Sequence, residues 1–254
     1  VTRSHDAVVQ DQFGPQAAAY VHSAVHAGGE DLDALAVLAA RIAPVHALDL
    51  GTGGGHVAYR MAPHAGSVTA CDLSAEMTAA VATTARERQL GNITTCTAPA
   101  ESLPFQDAAF DFLACRFSAH HWQAFEAGLR EARRVLKSGT TAVFIDVVSP
   151  GPAALDTHLQ AVELLRDPSH VRDYTAEEWA AALVRAGFRP RAMQLRRLRM
   201  DFPSWVERMR TPASHRAAIR ALQQQASRDT ARYFAIEPDG SFTLDTLQVE
   251  AMAG

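Results

Sequence analysis

From Val45 to Val148, short apolar runs alternate with longer stretches in which apolar side chains recur every three or four positions. A short apolar run fits a strand buried on both faces, and the 3.6-residue recurrence fits an amphipathic helix. Strands are predicted near 45–50, 67–71, 92–96, 109–116 and 140–148, and helices near 54–64, 74–90 and 123–137. Gly139, after Val135-Leu136-Lys137-Ser138, marks the turn from the last of these helices into the fifth strand. Such alternation predicts an α/β fold, a doubly wound parallel sheet with helices on both faces. Ahead of it, 16–27 and 31–43 are alanine-rich and helical, broken by Gly28-Gly29. Ser149-Pro150-Gly151-Pro152 interrupts the pattern. Helices near 153–166, 175–187, 203–210 and 212–235 follow, with two further strand candidates at 190–200 and 241–252.

The most informative stretch is Ala47-Leu48-Asp49-Leu50-Gly51-Thr52-Gly53-Gly54-Gly55-His56, where an apolar strand enters a dense glycine turn before a helix. Open α/β sheets hold nucleotide-like cofactors in this way, because the loop needs positive φ and close backbone approach to the ligand. The dinucleotide pattern G-x-G-x-x-G fits Gly51 and Gly53 but meets His56 at its third position. The pattern D-x-G-x-G-x-G fits throughout, with Asp49, Gly51, Gly53 and Gly55. The second strand then ends at Asp72, roughly 20 residues past the turn, where a carboxylate accepts both hydroxyls of a ribose. A 2′-phosphate would be repelled there. The competing role for Asp72 is a helix N-cap, for which Ser74 is the better candidate.

Three blocks make the segment from Val45 to Val148 resemble the class I S-adenosylmethionine-dependent methyltransferases, nearest to the ubiquinone/menaquinone-biosynthesis methyltransferase group. They are LDLGTGGG at 48–55, CDLSAEM at 71–77 and APAESLPFQDAAFDFLACRFSAHHW at 98–122, with matching spacing between them. Past residue 150 the likeness is looser and rests on the LRDPSHVR segment that ends at Arg172. The resemblance implies a Rossmann-like seven-stranded sheet, completed by an antiparallel hairpin from 190–200 and 241–252, with a helical lid from the C-terminal region. It divides the chain into residues 1–44 over the cofactor site, a cofactor-binding core at 45–150, and a lid with the last strand pair at 151–254.

Carried over from the family, the cofactor is S-adenosylmethionine. The backbone of Gly51, Thr52 and Gly53 would lie against its methionine and ribose portion, and Asp49 would place its amino group, directly or through water. Asp72 would take the ribose, and Leu73 and Met77 would cover the adenine, although helix packing also accounts for that pair. One position departs from the pattern: Pro99 stands where the family usually has an aspartate that accepts from the adenine amino group. Proline offers neither a carboxylate nor an N–H, which leaves the backbone of Ala100 and Glu101. At the end of the fourth strand, Cys115-Arg116-Phe117-Ser118 would offer a backbone carbonyl to the methionine amino group. Phe13, Gly14 and Tyr20 resemble the family segment that folds over the cofactor, and Tyr20 would close the site or simply pack within its helix.

His120, His121 and Trp122 follow the fourth strand. Methyl transfer is an in-line displacement, so alignment matters most, and a neutral imidazole can remove a proton from a phenol, amine or acidic carbon. His121, then His120, is the candidate base; the alternative is that both pad the following helix. No Asn/Asp-Pro-Pro-Tyr/Phe sequence follows the strand, which argues against methylation of a flipped nucleic-acid base. Arg166, Asp167, His170 and Arg172 around Pro168 either line the substrate mouth or close a salt-bridged turn. The expected function is therefore methylation of a small-molecule acceptor. A non-catalytic S-adenosylmethionine-binding protein and, against the missing third glycine, a nicotinamide oxidoreductase are the alternatives.

Composition narrows this further. A 254-residue chain with 48% hydrophobic residues can bury one large core or one core plus a cap. Its net charge of -4 indicates no general attraction to nucleic acid or anionic membrane. Lys137 is the sole lysine, while residues 151–254 hold 14 arginines against 13 acidic residues. Cys71, Cys96 and Cys115 lack metal-binding spacing and read as core thiols. No metal is expected. Without a signal peptide or long apolar run, a cytoplasmic protein is expected, monomeric or homodimeric.

Overall fold

The computed structural model describes residues 3–14 and 28–254. Tyr20 and the expected helix at 16–27 lie outside the described residues. Seven strands form one sheet: β1 His46–Leu50, β2 Ser67–Asp72, β3 Ile93–Thr97, β4 Phe110–Arg116, β5 Leu136–Val148, β6 Phe188–Met200 and β7 Phe242–Ala253. Their order is β3-β2-β1-β4-β5-β7-β6. β1 pairs in parallel with β2 and β4, whereas β7 is antiparallel to both β5 and β6. The sheet is therefore the expected doubly wound one, Rossmann-like, with a single reversed strand.

Period-two alternation sorts the strand residues onto two faces. On β4, Leu113 and Cys115 join Leu48, Leu50, Phe125, Leu129 and Trp179 in one core, while Phe112 and Ala114 join Leu32, Leu35, Val57 and Val81 in the other. Each of the leucine, valine and phenylalanine side chains, fully buried, contributes about 1.5–3 kcal/mol. The second face is covered by α2 Glu30–Ile42, α3 His56–Met61 and α4 Ala75–Glu87, and the first by α5 Phe125–Val135 and α7 Ala176–Arg185. Thr175 starts α7 with a capping box closed by Glu178. A third, smaller cluster of Val162, Trp205, Val206, Ile219 and Phe242 knits together α6 Ala153–Arg166, α8 Phe202–Arg208 and α9 Ala213–Gln224. This is the C-terminal helical lid.

Several expectations are corrected. The helix expected at 212–235 is two helices, α9 and α10 Arg228–Tyr233, because the Ser227 hydroxyl accepts from the Thr230 N–H and caps a new start. β5 begins at Leu136, where the chain already pairs with Phe110, so Gly139 (φ 80°) lies inside the strand and does not end the helix. β6 and β7 are antiparallel neighbours, but residues 201–241 of the lid intervene, so they form no tight hairpin. Cys96 is partly exposed because β3 is an edge strand, whereas Cys71 and Cys115 are buried. An additional helix, α1 His5–Phe13, was not foreseen; it has no fully buried residue and so no apolar stripe to reveal it. Among the described residues no helix is long and apolar enough to cross a membrane.

Candidate active site

Strand order reverses between β1 and β4, and ligands bind outside the carboxyl ends of strands at such a switch point. The glycine loop leaves β1 there. Its Gly51 and Thr52 N–H groups donate to the Cys71 carbonyl, at 2.8 and 2.9 Å, which ties the loop to β2. Gly51 has φ 73° and an added Cβ would overlap the Ser118 side chain. Gly53, at φ 49°, faces open space with no atom within 4 Å of an added Cβ. The two glycines thus serve different ends: Gly51 lets the turn after β4 approach, and Gly53 leaves room in the cavity.

That cavity has an empty volume of about 1050 Å³ including its mouth. The eleven expected cofactor-binding residues that are described all line it: Asp49, Gly51, Thr52 and Gly53 from the loop, Asp72, Leu73 and Met77 from the second turn, and Ala100, Glu101, Arg116 and Phe117 from β4 and the stretch before it. Asp72 Oδ2 accepts from the Gly53 N–H at 2.8 Å and Oδ1 from the Ser74 N–H at 2.9 Å. Burial raises its pKa, against the pull of those N–H groups. Ser74 caps α4 through the Met77 N–H, so Asp72 braces the turn without being the cap. Glu101 is held by the Ala124 N–H at 3.3 Å. Pro99 lines the cavity too, with no side-chain acceptor in the place where the family has one.

Asp49 is nearly inaccessible. One oxygen, Oδ2, accepts from the Thr52 hydroxyl at 2.6 Å and the Ala58 N–H at 2.9 Å, while the buried Oδ1 has no partner. Desolvation by burial pushes its pKa up to about 7 despite those two donors. A buried carboxylate with an orphan oxygen beside a glycine-lined space fits a ligand that brings a cationic amino group, as S-adenosylmethionine does. Arg116 takes no such role through its side chain. Its Nε donates to Asp31 of α2 at 2.6 Å and its guanidinium lies 4.6 Å above the Phe117 ring, so it fastens α2 to the end of β4. Phe117 adopts φ 52°, an uncommon backbone state for a bulky residue, at the strand's very end.

The two histidines differ sharply. They sit in a 3-10 turn at Ala119–His121, with ring centroids 4.0 Å apart. His120 Nδ1 donates to Asp146 Oδ1 of β5 at 2.6 Å. Burial alone would lower the His120 pKa, but the Asp146 carboxylate outweighs it and raises the value to about 9. His121 is driven down to about 4 by burial and then by the neighbouring His120 charge. Its Nδ1 donates to the Ser169 carbonyl at 3.1 Å, which fixes the tautomer and leaves the Nε2 lone pair for another group. Two imidazoles this close titrate as a pair, and near neutral pH the positive charge resides on His120 while His121 is neutral.

A second cavity, about 1980 Å³ including its mouth, lies between the lid and the strand ends. His121, Phe13, Arg116 and Phe117 line both cavities, whereas His120 lines only the second. The polar segment around Pro168 divides. Arg166 and Asp167 line the second cavity, with Arg166 paired to Glu163 at 3.3 Å, whereas Arg172 bridges Asp156 and Glu178. His170 is buried against Gln160 Oε1 at 2.9 Å, and desolvation keeps it neutral. Sequence reading expected Phe13 and Gly14 over the cofactor but missed the helix they end, α1, whose His5, Asp6 and Val9 line the first cavity and whose His5 Nε2 donates to the His121 carbonyl at 2.9 Å. It also missed Asp146 and the buried Asp173. The available signal for Asp146 was a carboxylate near the carboxyl end of an apolar strand. Among the described residues no group of His, Cys, Asp or Glu is arranged to hold a metal ion.

Comparison with known proteins agrees with this geometry. Residues 48–144 match the methyltransferase domain family. The chain is 46% identical over 197 residues to the protein YafE of Escherichia coli, covering 78% of this chain and 95% of that one. It is 33% identical over 224 residues to the methyltransferase YcgJ of Bacillus subtilis, covering 88% of each. The crystal structure of YcgJ superposes with a TM-score of 0.84 at 30% identity, over 87% of this chain and 97% of that one. A shorter match, 36% identical over 96 residues (36% of this chain, 37% of the other), joins it to the ubiquinone/menaquinone biosynthesis C-methyltransferase UbiE of Rhizobium leguminosarum. The chain belongs to the class I S-adenosylmethionine-dependent methyltransferases, on the branch that resembles YcgJ and YafE and is related to the UbiE group. It is a methyltransferase, and S-adenosylmethionine is its cofactor.

Proposed function

We propose that the acceptor is a small molecule held in the second cavity and that His121 takes its proton. The observation that carries this reading is the junction, where His121 lines both cavities. In this reading residues 1–44 cover the cofactor, 45–150 hold it and 151–254 close over the acceptor. Asp72 takes the ribose hydroxyls and the Gly51–Gly53 backbone lies along the methionine portion. Asp49 answers the amino group, and Leu73, Met77 and the Ala100–Glu101 backbone surround the adenine.

Bound S-adenosylmethionine supplies an electrophilic methyl group; everything else falls to the protein's own side chains. His121 Nε2, uncharged across the physiological range, accepts the proton of an approaching hydroxyl, amine or acidic carbon. His120, kept cationic by Asp146, places a fixed positive charge one ring away and favours the anionic form of the acceptor. Phe13 of α1 packs edge-on against His121 at 5.0 Å, holding the ring and excluding water from the junction. The enclosure by lid, strands and α1 suits a discrete molecule better than a polymer.

The test is a screen of phenols, amines and acidic-carbon compounds for release of S-adenosylhomocysteine, repeated with His121→Ala. Turnover of a small molecule that collapses in the variant supports the reading. Methylation of protein or nucleic acid alone would refute it.

A further inference from the structure

The β6 side of the second cavity carries a guanidinium whose counter-charge is missing. Arg196 pairs in register with Thr246 of β7, which pairs with Val147 of β5, and all three line the cavity. With strands about 4.8 Å apart, the Arg196 backbone lies about 10 Å from that of Val147. Arg196 Nη1 donates to Gln248 Oε1 at 3.1 Å and Nη2 to Gln194 Oε1 at 2.7 Å, while its buried Nε has no partner.

Its neighbours differ. Arg116 is paired with Asp31, Arg166 with Glu163, and Arg197 with Asp245 at 2.8 Å. Arg196 makes no ion pair among the described residues, and residues 15–27 contain no Asp or Glu. A half-buried guanidinium answered only by neutral amides is a standing site for an anion, and its planar fork matches a carboxylate. The one charge this guanidinium lacks is matched by a monoanionic carboxylate, and the adjacent Arg197 is already taken by Asp245. Leu198, Leu244, Met200 and Trp205 line the same cavity and offer an apolar surface to the body of a ligand.

Resting on the reading of this cavity as the acceptor site, we propose that the acceptor is a carboxylic acid. Its carboxylate docks on Arg196, its apolar body lies along the lid, and its nucleophilic atom reaches the His121 junction. The tether sets a length, so specificity comes from the separation between the carboxylate and the atom that is methylated.

The experiment uses the full chain saturated with S-adenosylhomocysteine. Phenylalkanoic acids of four to ten chain carbons, each beside its primary amide, are titrated by calorimetry. At one chain length or more, the acid is expected to bind at least roughly tenfold more tightly than the amide, the range for a charge-assisted hydrogen bond. Arg196→Gln should erase that preference and Arg196→Lys should keep part of it, with S-adenosylhomocysteine affinity unchanged in both. Arg189→Gln, on the same strand outside the cavity, should bind like the parent. If no acid outbinds its amide at any length, or the preference survives in Arg196→Gln, the proposal is overturned. Because the readout is binding, failure of the wider acceptor reading shows separately, as acids that bind while no small molecule is ever turned over.

Discussion

Replacing Asp49 by asparagine isolates the charge of a buried carboxylate from its hydrogen bonds. The asparagine carbonyl can still accept from Thr52 and Ala58, so the loop keeps its anchor. Only the ionised carboxylate gives full attraction to a cationic amino group. With a pKa of about 7 in the free protein, affinity for S-adenosylhomocysteine should fall by a factor of up to 1 + 10^(7−pH). That is at most about 11 at pH 6 and about 1.1 at pH 8, a change of up to tenfold, or about 1.4 kcal/mol. Asp49→Asn should lose this slope and, at pH 8, bind roughly 10- to 100-fold more weakly than the parent, as expected for losing a charge-assisted hydrogen bond.

Stability should move the other way. A carboxyl whose folded pKa lies above its unfolded value of 3.8 stabilises the fold at low pH and loses that contribution as pH rises through 7. The cost at pH 8 is on the order of 4 kcal/mol, and asparagine does not incur it. The variant without ligand should therefore melt higher than the parent at pH 8. Calorimetric titration at pH 6, 7 and 8, in two buffers of different ionisation enthalpy, counts the proton released on binding; thermal melts give the stability. A flat parental profile, an equal slope in both proteins, or a lower melting temperature for Asp49→Asn at pH 8 would refute the reasoning.

Asp72→Ala should weaken S-adenosylhomocysteine binding by roughly 1.5–3 kcal/mol, and unchanged affinity in the folded variant would place the ribose elsewhere. His121→Ala should lower turnover roughly 10²–10⁴-fold with cofactor affinity nearly intact; normal turnover would make the ring a mere pad for Phe13. At saturating S-adenosylmethionine the rate should be level from about pH 5 to 8, then fall above about 9 as His120 loses its proton, and His120→Ala should abolish that upper limb. An acid limb near 6.5 that persists at saturating cofactor would contradict the depressed His121 pKa. Gly51→Ala should lower the melting temperature markedly, because its Cβ would overlap Ser118. Gly53→Ala should cost only about 1 kcal/mol of backbone strain while still hindering the cofactor; equal destabilisation of the two would undo the distinction drawn between these glycines.

The sequence by itself determined the features whose physics is local. Apolar runs long enough for a strand and too short for a helix marked β1, β2 and β4. A turn that demands positive φ announced itself in glycine, and Asp72 followed from its fixed distance past that turn. Ser74 read as a cap because its hydroxyl serves an N–H three residues on. Only the tertiary structure decided how charge is shared. His120 and Asp146 are 26 residues apart, and without that contact nothing separates a cationic His120 from a neutral His121. Arg116 and Asp31 meet across 85 residues, which gives the side chain of a cavity-lining residue a second task, fastening α2 to the end of β4. Arg196 stands among five arginines of one strand, and only the folded sheet shows that its side-chain partners are two glutamines and not a carboxylate. The segment with Phe13 was expected over the cofactor, but that it is a helix bringing His5, Asp6 and Val9 to the cavity showed only in the fold, because those residues gain their meaning from what they cover. Backbone preference acts over a few residues and is written in order along the chain, whereas protonation and ion pairing depend on distance and burial, which exist only once the chain has folded.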